Sequence, residues 1–196
     1  MARTVASSRR KSSPDKAAPA TRKTPARKTP SPRARRAKPD AVALLKEDHR
    51  SVEAKFERYE KIKERADDAR KAKLVEEICA ELDLHAEIEE KIFYPAARDA
   101  MKEQDLLDEA EVEHASLKEL IAQLRSMTPS EDLYDAKVKV LSEYVKHHVK
   151  EEERELFKEA RAAGLDMKAL GEELAAAKAG RGSRAPAARA IEQSLR

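Results

Sequence analysis

Five histidines, His49, His85, His114, His147 and His148, are the side chains of this sequence best suited to chemistry. Two of them head matching runs, His85-Ala-Glu-Ile-Glu89-Glu90 and His148-Val-Lys-Glu-Glu152-Glu153. In each run a glutamate follows the imidazole by four residues, which on a helix puts both groups on one face, a turn apart. The other pieces are Asp48-His49 and Glu113-His114. Imidazole and carboxylate together suit first-row metals such as iron, manganese or zinc better than calcium or magnesium. Carboxylates set between two ions can bridge them and cancel part of their charge. Without such ions, ionised Glu89 and Glu152 would be costly in an apolar surrounding. The candidate metal ligands are His49, His85, Glu89, His114, His148 and Glu152. His147 is the alternative to His148, but its own stripe (Val140, Tyr144, Glu151) is less apolar.

These residues need helices to hold them. Helix one carries Leu45, His49, Val52, Phe56, Tyr59 and Ile62 at spacings of three and four. Helix two carries Leu74, Ile78, Leu82, His85, Glu89, Ile92 and Ala96; helix three carries Leu107, Ala110, His114, Leu117, Ile121 and Leu124. Helix four carries Val138, Leu141, Val145, His148, Glu152 and Leu156. Such stripes are the buried faces of a bundle. Asp40 is a suitable first N-cap, and Ser130, after Thr128-Pro129, a suitable cap for helix four. Further breaks fall at 66–68 and 100–104. Pro95 lies inside helix two and is expected to kink it or free a carbonyl. Leu165 to about Lys178 can form a short fifth helix, with a frayed tail beyond.

The spacing also sets the level of each histidine. In an up-down bundle, residues on neighbouring helices meet when they lie equally far from the connecting turn. The midpoints of 49 and 85, 85 and 114, and 114 and 148 are 67, 99.5 and 131, each at or beside an expected break. At about 1.5 Å rise per residue, every histidine is roughly 22–27 Å from its turn. All four should therefore come to one level.

Composition agrees with an all-α, up-down-up-down four-helix bundle: hydrophobic and charged residues are each 40% and there are only 4 glycines. Alternating strand patterns are missing. Residues 1–39 differ sharply, with thirteen Lys or Arg, one acid (Asp15) and six prolines, a net charge of +12. They lack aromatics and leucines to bury and read as a disordered basic tail. The expected organisation is a tail over 1–39, a bundle over 40–162, and a C-terminal helix and tail over 163–196. No apolar run is long enough to span a bilayer and no secretory signal is evident. With a single cysteine, Cys79, and thus no internal disulfide, the expected location is cytoplasmic.

Taken together, Asp48-His49, His85-xxx-Glu89-Glu90 with Ile92-Phe93-Tyr94-Pro95, Glu113-His114, and His148-xxx-Glu152-Glu153 with Leu156-Phe157 resemble the hemerythrin-like, or HHE cation-binding, family over roughly 40–162. The resemblance implies a non-haem centre of two iron ions bridged by carboxylates and an oxo or hydroxo group. It also implies binding of dioxygen or nitric oxide, or sensing of iron or redox state. Oxygen-carrying members place a second histidine one turn on in helix three, where this chain has Lys118, so the set falls toward four histidines.

Two other expectations stand beside this one. The centre could serve a di-iron enzyme reducing peroxide, oxygen or nitric oxide. The chain could instead be a nucleoid-associated protein with a structural metal site, because the 1–39 segment is suited to non-specific nucleic-acid contact. Glu90 and Glu153 lie off the stripe and read as solvated or as groups that orient imidazoles. Tyr94 and Tyr144 read as packing residues, and the acidic run 103–113 as a solvated helix start.

Overall fold

The computed structural model describes residues 40–194, with side chains to Arg181; the expected tail over 1–39 lies outside the described residues. Helix α1 spans Ala41–Ile62, and Asp40 caps it by accepting from the Ala43 N–H at 2.8 Å. Helix α2, Asp68–Ile88, is capped in the same way by Asp67. It passes through a π-helical turn, Glu89–Phe93, into α3, Tyr94–Ala100. Helix α4 spans Asp105–Arg125. Helix α5, Tyr134–Glu151, passes through a second π turn, Glu152–Leu156, into α6, Phe157–Ala162. Helix α7, Met167–Ser194, continues past Lys178, where the sequence suggests fraying. The described residues contain no strand.

The cap of α5 corrects the expectation for Ser130. Glu131 closes that turn on Thr128, accepting from its N–H at 2.7 Å, and the helix starts only after Leu133, at φ 69°. A leucine in this left-handed region is strained.

The two π turns decide the phase of the bundle. Each begins at a candidate ligand, and each is closed by a bond from residue i+5: Tyr94 N–H to the Glu89 carbonyl, Phe157 N–H to that of Glu152. The expected stripe of helix two therefore slips by one residue. Phe93, Tyr94 and Ala97 are buried there, whereas Ile92 and Ala96 are only partly so. Pro95 does not end the helix but sits at the start of α3. The second π turn contains no proline, so the shared cause is the ligand-bearing segment itself.

Helices α1, α2, α4 and α5 form a closed ring in which each touches the next, and α7 lies against α1 and α2. Two apolar clusters fill the bundle. One contains Leu45, Phe93, Leu107, Phe157, Leu170 and Leu174; the other contains Phe56, Tyr59, Ile78, Ile121, Leu124 and Leu141. Between them lies a layer of buried polar groups: Asp48, His49, His85, Glu89, His114, His148 and Glu152.

Candidate metal centre

The equal-level argument from spacing is met at atomic scale. His49 Nε2 lies 3.1 Å from His85 Nε2, and His114 Nε2 lies 3.0 Å from His148 Nε2. Two nitrogens held at right angles on one ion at about 2.1 Å stand about 3.0 Å apart. Glu89 Oε2 is 3.2 Å from His85 Nε2 and 3.6 Å from His114 Nε2. Glu152 Oε2 is 3.3 Å from His49 Nε2 and 3.5 Å from His148 Nε2. Each carboxylate therefore spans both imidazole pairs. Two groups able to hold an ion result, His49–His85–Glu89–Glu152 and Glu89–His114–His148, with Glu89 common to both.

The outward-facing nitrogen of each ring faces a carboxylate. His49 Nδ1 meets Glu153 at 3.0 Å, His114 Nδ1 meets Glu90 at 2.9 Å, and His148 Nδ1 meets Glu113 at 2.8 Å. His85 Nδ1 faces Asp48 at 3.5 Å. A carboxylate only accepts, so in His49, His114 and His148 it favours the imidazole proton on Nδ1, with Nε2 turned inward. Glu89 is fully buried, and neither of its oxygens has a hydrogen-bond donor. The layer is thus a convergence of acceptors with one donor at its edge, the Tyr94 hydroxyl, 3.0 Å from Glu152 Oε1. Positive charge is what such a pocket lacks, and the residues present fit metal ions.

The arrangement repeats across the bundle. The residue before His114 bonds His148, and the residue before His49 faces His85 at 3.5 Å without a hydrogen bond. Glu90, next to Glu89, holds His114; Glu153, next to Glu152, holds His49. The π turns add the aromatic residue five beyond each ligand: Tyr94 lies over His114 with centroids 5.5 Å apart, and Phe157 stacks on His49 at 6.0 Å. Outside this layer, Lys46 bonds Glu153 at 2.8 Å, Lys118 bonds both oxygens of Glu90 at 2.6 Å, and Lys178 of α7 bonds Asp48. Among the described residues no ammonium pairs with Glu113; His147 Nε2 stands 3.4 Å from it.

Burial and neighbouring charge divide the pocket electrostatically. Desolvation, reinforced by the charge of Glu152, pushes Glu89 well above the usual carboxylate range. Desolvation also drives His114 down to about 4, with His148 adding to the effect. His148 itself is raised despite burial, because Glu152 and Glu113 outweigh it. Burial opposes ionisation of Glu152, but the imidazoles of His148, His49 and His85 together hold its carboxyl far below the ordinary value. Bringing two carboxylates into one dry pocket forces one to keep a proton until a cation replaces it.

Residues 40–160 match the Hemerythrin HHE cation binding domain. The chain belongs to this hemerythrin HHE family. A crystal structure of a hemerythrin HHE cation binding domain-containing protein from Mycobacterium kansasii superposes with a TM-score of 0.64 at 25% identity, covering 77% of this chain and 93% of that one. A DNA nickase from Nostoc sp. (strain PCC 7120 / SAG 25.82 / UTEX 2576) is 35% identical over 81 residues, 41% of this chain but only 23% of the nickase.

In this HHE bundle all six residues singled out from the sequence come together, and His147 stays outside with its side chain 61% exposed. Several roles were missed. Glu113, at the end of the acidic run 103–113, bonds His148, and Asp108 and Glu111 bind Arg98, whereas Glu90 and Glu153 take the imidazole-facing role that the sequence suggested beside a solvated one. Tyr94 does more than pack, whereas Tyr144 is exposed. The pairs Asp48-His49 and Glu113-His114 were the available signal, since a helix that buries one residue turns its neighbour toward the adjacent helix. Among the described residues no helix is long and apolar enough to cross a membrane.

Proposed function

We propose that this HHE protein holds two iron ions in its central layer and uses them to bind a small ligand, dioxygen or nitric oxide, or to sense iron or redox state. The observation that carries this reading is the acceptor-only convergence beside a very small cavity. That cavity, about 20 Å³, is lined by the four inward histidines, by valine, leucine and isoleucine side chains, and by the charged groups Asp48, Glu81, Asp83 and Lys118. A single water needs about 10–15 Å³ by this measure, so a diatomic molecule is the size that fits.

His49, His85, Glu89 and Glu152 would hold one ion, and His114 and His148 with shared Glu89 and Glu152 the other. When bound, the pair supplies reversible electron transfer to and from the ligand. The protein's own residues do the rest. Glu153, Glu90 and Glu113 favour one imidazole tautomer and make Nε2 more basic. Glu89, which burial holds well above the usual carboxylate range, would be the group whose charge a bound cation favours. Elemental analysis and absorption spectroscopy, followed by mixing of the reduced protein with dioxygen or nitric oxide, test the reading. Two irons per chain and a spectral change on mixing are expected; well-folded protein without iron, or iron indifferent to both gases, would end it.

The Tyr94 hydroxyl favours a second reading, in which the centre turns over peroxide, oxygen or nitric oxide. It lies 3.4 Å from His114 Nε2 and donates a hydrogen bond to Glu152 at 3.0 Å at the pocket's edge, although burial and the two glutamates make it a weaker acid than usual. Sustained consumption of peroxide, lost in Tyr94→Phe with iron retained, would select it over simple binding. A nucleic-acid role is a proposal that rests on the charge of residues 1–39; separately, an 81-residue stretch of the chain is similar to part of a DNA nickase.

A further inference from the structure

Three of the four carboxylates that hold the imidazoles are neutralised from outside by an ammonium group. Lys178 answers Asp48 in one half of the repeat, and the corresponding position in the other half is the outer side of Glu113. No ammonium or guanidinium lies within ion-pair reach of Glu113 or Glu151 among the described residues. The position is lined by His147 Nε2, 3.4 Å from Glu113 Oε1 and 3.3 Å from Glu151 Oε1, with all three ligand atoms within 4.8 Å of one another. It opens on a surface groove of about 430 Å³ lined also by Asp108, Glu109 and Val112.

We propose that Glu113, His147 and Glu151 form a separate outer site for a divalent ion of the zinc, cobalt or nickel type. One imidazole with two carboxylates, open to water for the remaining positions, is a donor set for such ions. The two glutamates supply oxygen donors on either side of the imidazole nitrogen. The division of labour within Glu113 permits occupancy without disturbing the centre: Oε2 stays 2.8 Å from His148 Nδ1, while Oε1 faces outward to His147. An ion here stands one carboxylate away from a candidate ligand of the inner pair. The site uses none of the six inner residues and does not depend on what fills the core.

The full-length protein, iron-loaded, is dialysed against micromolar zinc alongside His147→Ala and Glu151→Gln. The native chain should take up one more zinc than either variant, with equal iron in all three. Zinc-edge X-ray absorption should report a single imidazole among oxygen neighbours. Equal zinc uptake by native and variants overturns the proposal, as does a zinc environment of several imidazoles, which marks displacement from the core. The comparison is repeated in Glu152→Ala, where the one-zinc difference should persist, so that failure of the di-iron reading is told apart from failure of this one.

Discussion

At the scale of single residues, the centre is organised by which nitrogen carries a proton. Glu153, Glu90 and Glu113 bond the outer nitrogens of His49, His114 and His148, and the inner face gathers imidazole nitrogens and two carboxylates whose one hydroxyl donor is Tyr94. Removing one ligand therefore does more than subtract a contact, because the others stay buried without a cation. His148→Ala or Glu152→Ala should lose iron and melt at lower temperature, while His147→Ala should keep its iron and its melting temperature; elemental analysis and calorimetry check both. A second network, far from the centre, makes a pH prediction. Burial opposes ionisation of Asp135, but its bonds to Lys71, at 2.7 Å, and Tyr59 outweigh this and lower its titration range. A carboxyl lowered in the folded state contributes stability above about pH 4, and that contribution disappears as pH falls through the folded value. Asp135→Asn should cost up to about 1 kcal/mol at neutral pH, since the amide oxygen still accepts from Lys71 but the opposite charge, partly screened by solvent at Asp135, is lost. The gap between variant and native protein should close in acid, as followed by denaturation at a series of pH values.

At the scale of elements, α7 belongs to the bundle rather than trailing from it. Met167, Leu170 and Leu174 are buried in the cluster that also holds Phe93 and Phe157. Leu174→Ala should cost about 2–5 kcal/mol, measurable by denaturant unfolding. The four main stripes and the common level of the histidines were legible in the sequence because helical periodicity and distance from a turn are both local counts. The π turns were not. Their mark is a main-chain bond to i+5, which no residue type announces, and it moved burial from Ile92 and Ala96 to Phe93, Tyr94 and Ala97. Lys178 was equally hidden, since its pairing with Asp48 joins positions 130 residues apart. Glu90 and Glu153 could be seen to leave the stripe, but where they went depended on the neighbouring helix.

At the scale of the whole molecule, charge is unevenly distributed along the chain. Residues 1–39 carry +12, while 40–178, with twenty-four basic and thirty-six acidic side chains, carry −12. A basic segment of this kind binds duplex DNA by counterion release, with a log–log salt slope of about −0.9 per phosphate neutralised. Engagement of six to eight phosphates should lower affinity by about 10³–10⁴ between roughly 50 and 200 mM salt. Deleting residues 1–38 should abolish the binding and leave iron content and helicity unchanged. Gel-shift titrations of both proteins across salt test this; equal retardation, or none at low salt, removes nucleic acid as a partner.

The π turns also bear on how an ion reaches a layer sealed between two apolar clusters. Two helical runs change their bonding pattern, one at Glu89 and the other at Glu152, and each can reel a residue in or out there without unwinding its ends. Local breathing of the helix, rather than parting of the whole bundle, then becomes the gate for loading. Hydrogen–deuterium exchange gives the signature: in the iron-free protein the amides of Tyr94 and Phe157, which close the two turns, should exchange faster than those of Leu82 and Leu141 in the adjoining helices. Iron should slow the first pair far more than the second, fastening the chain at the two places where it was left loose.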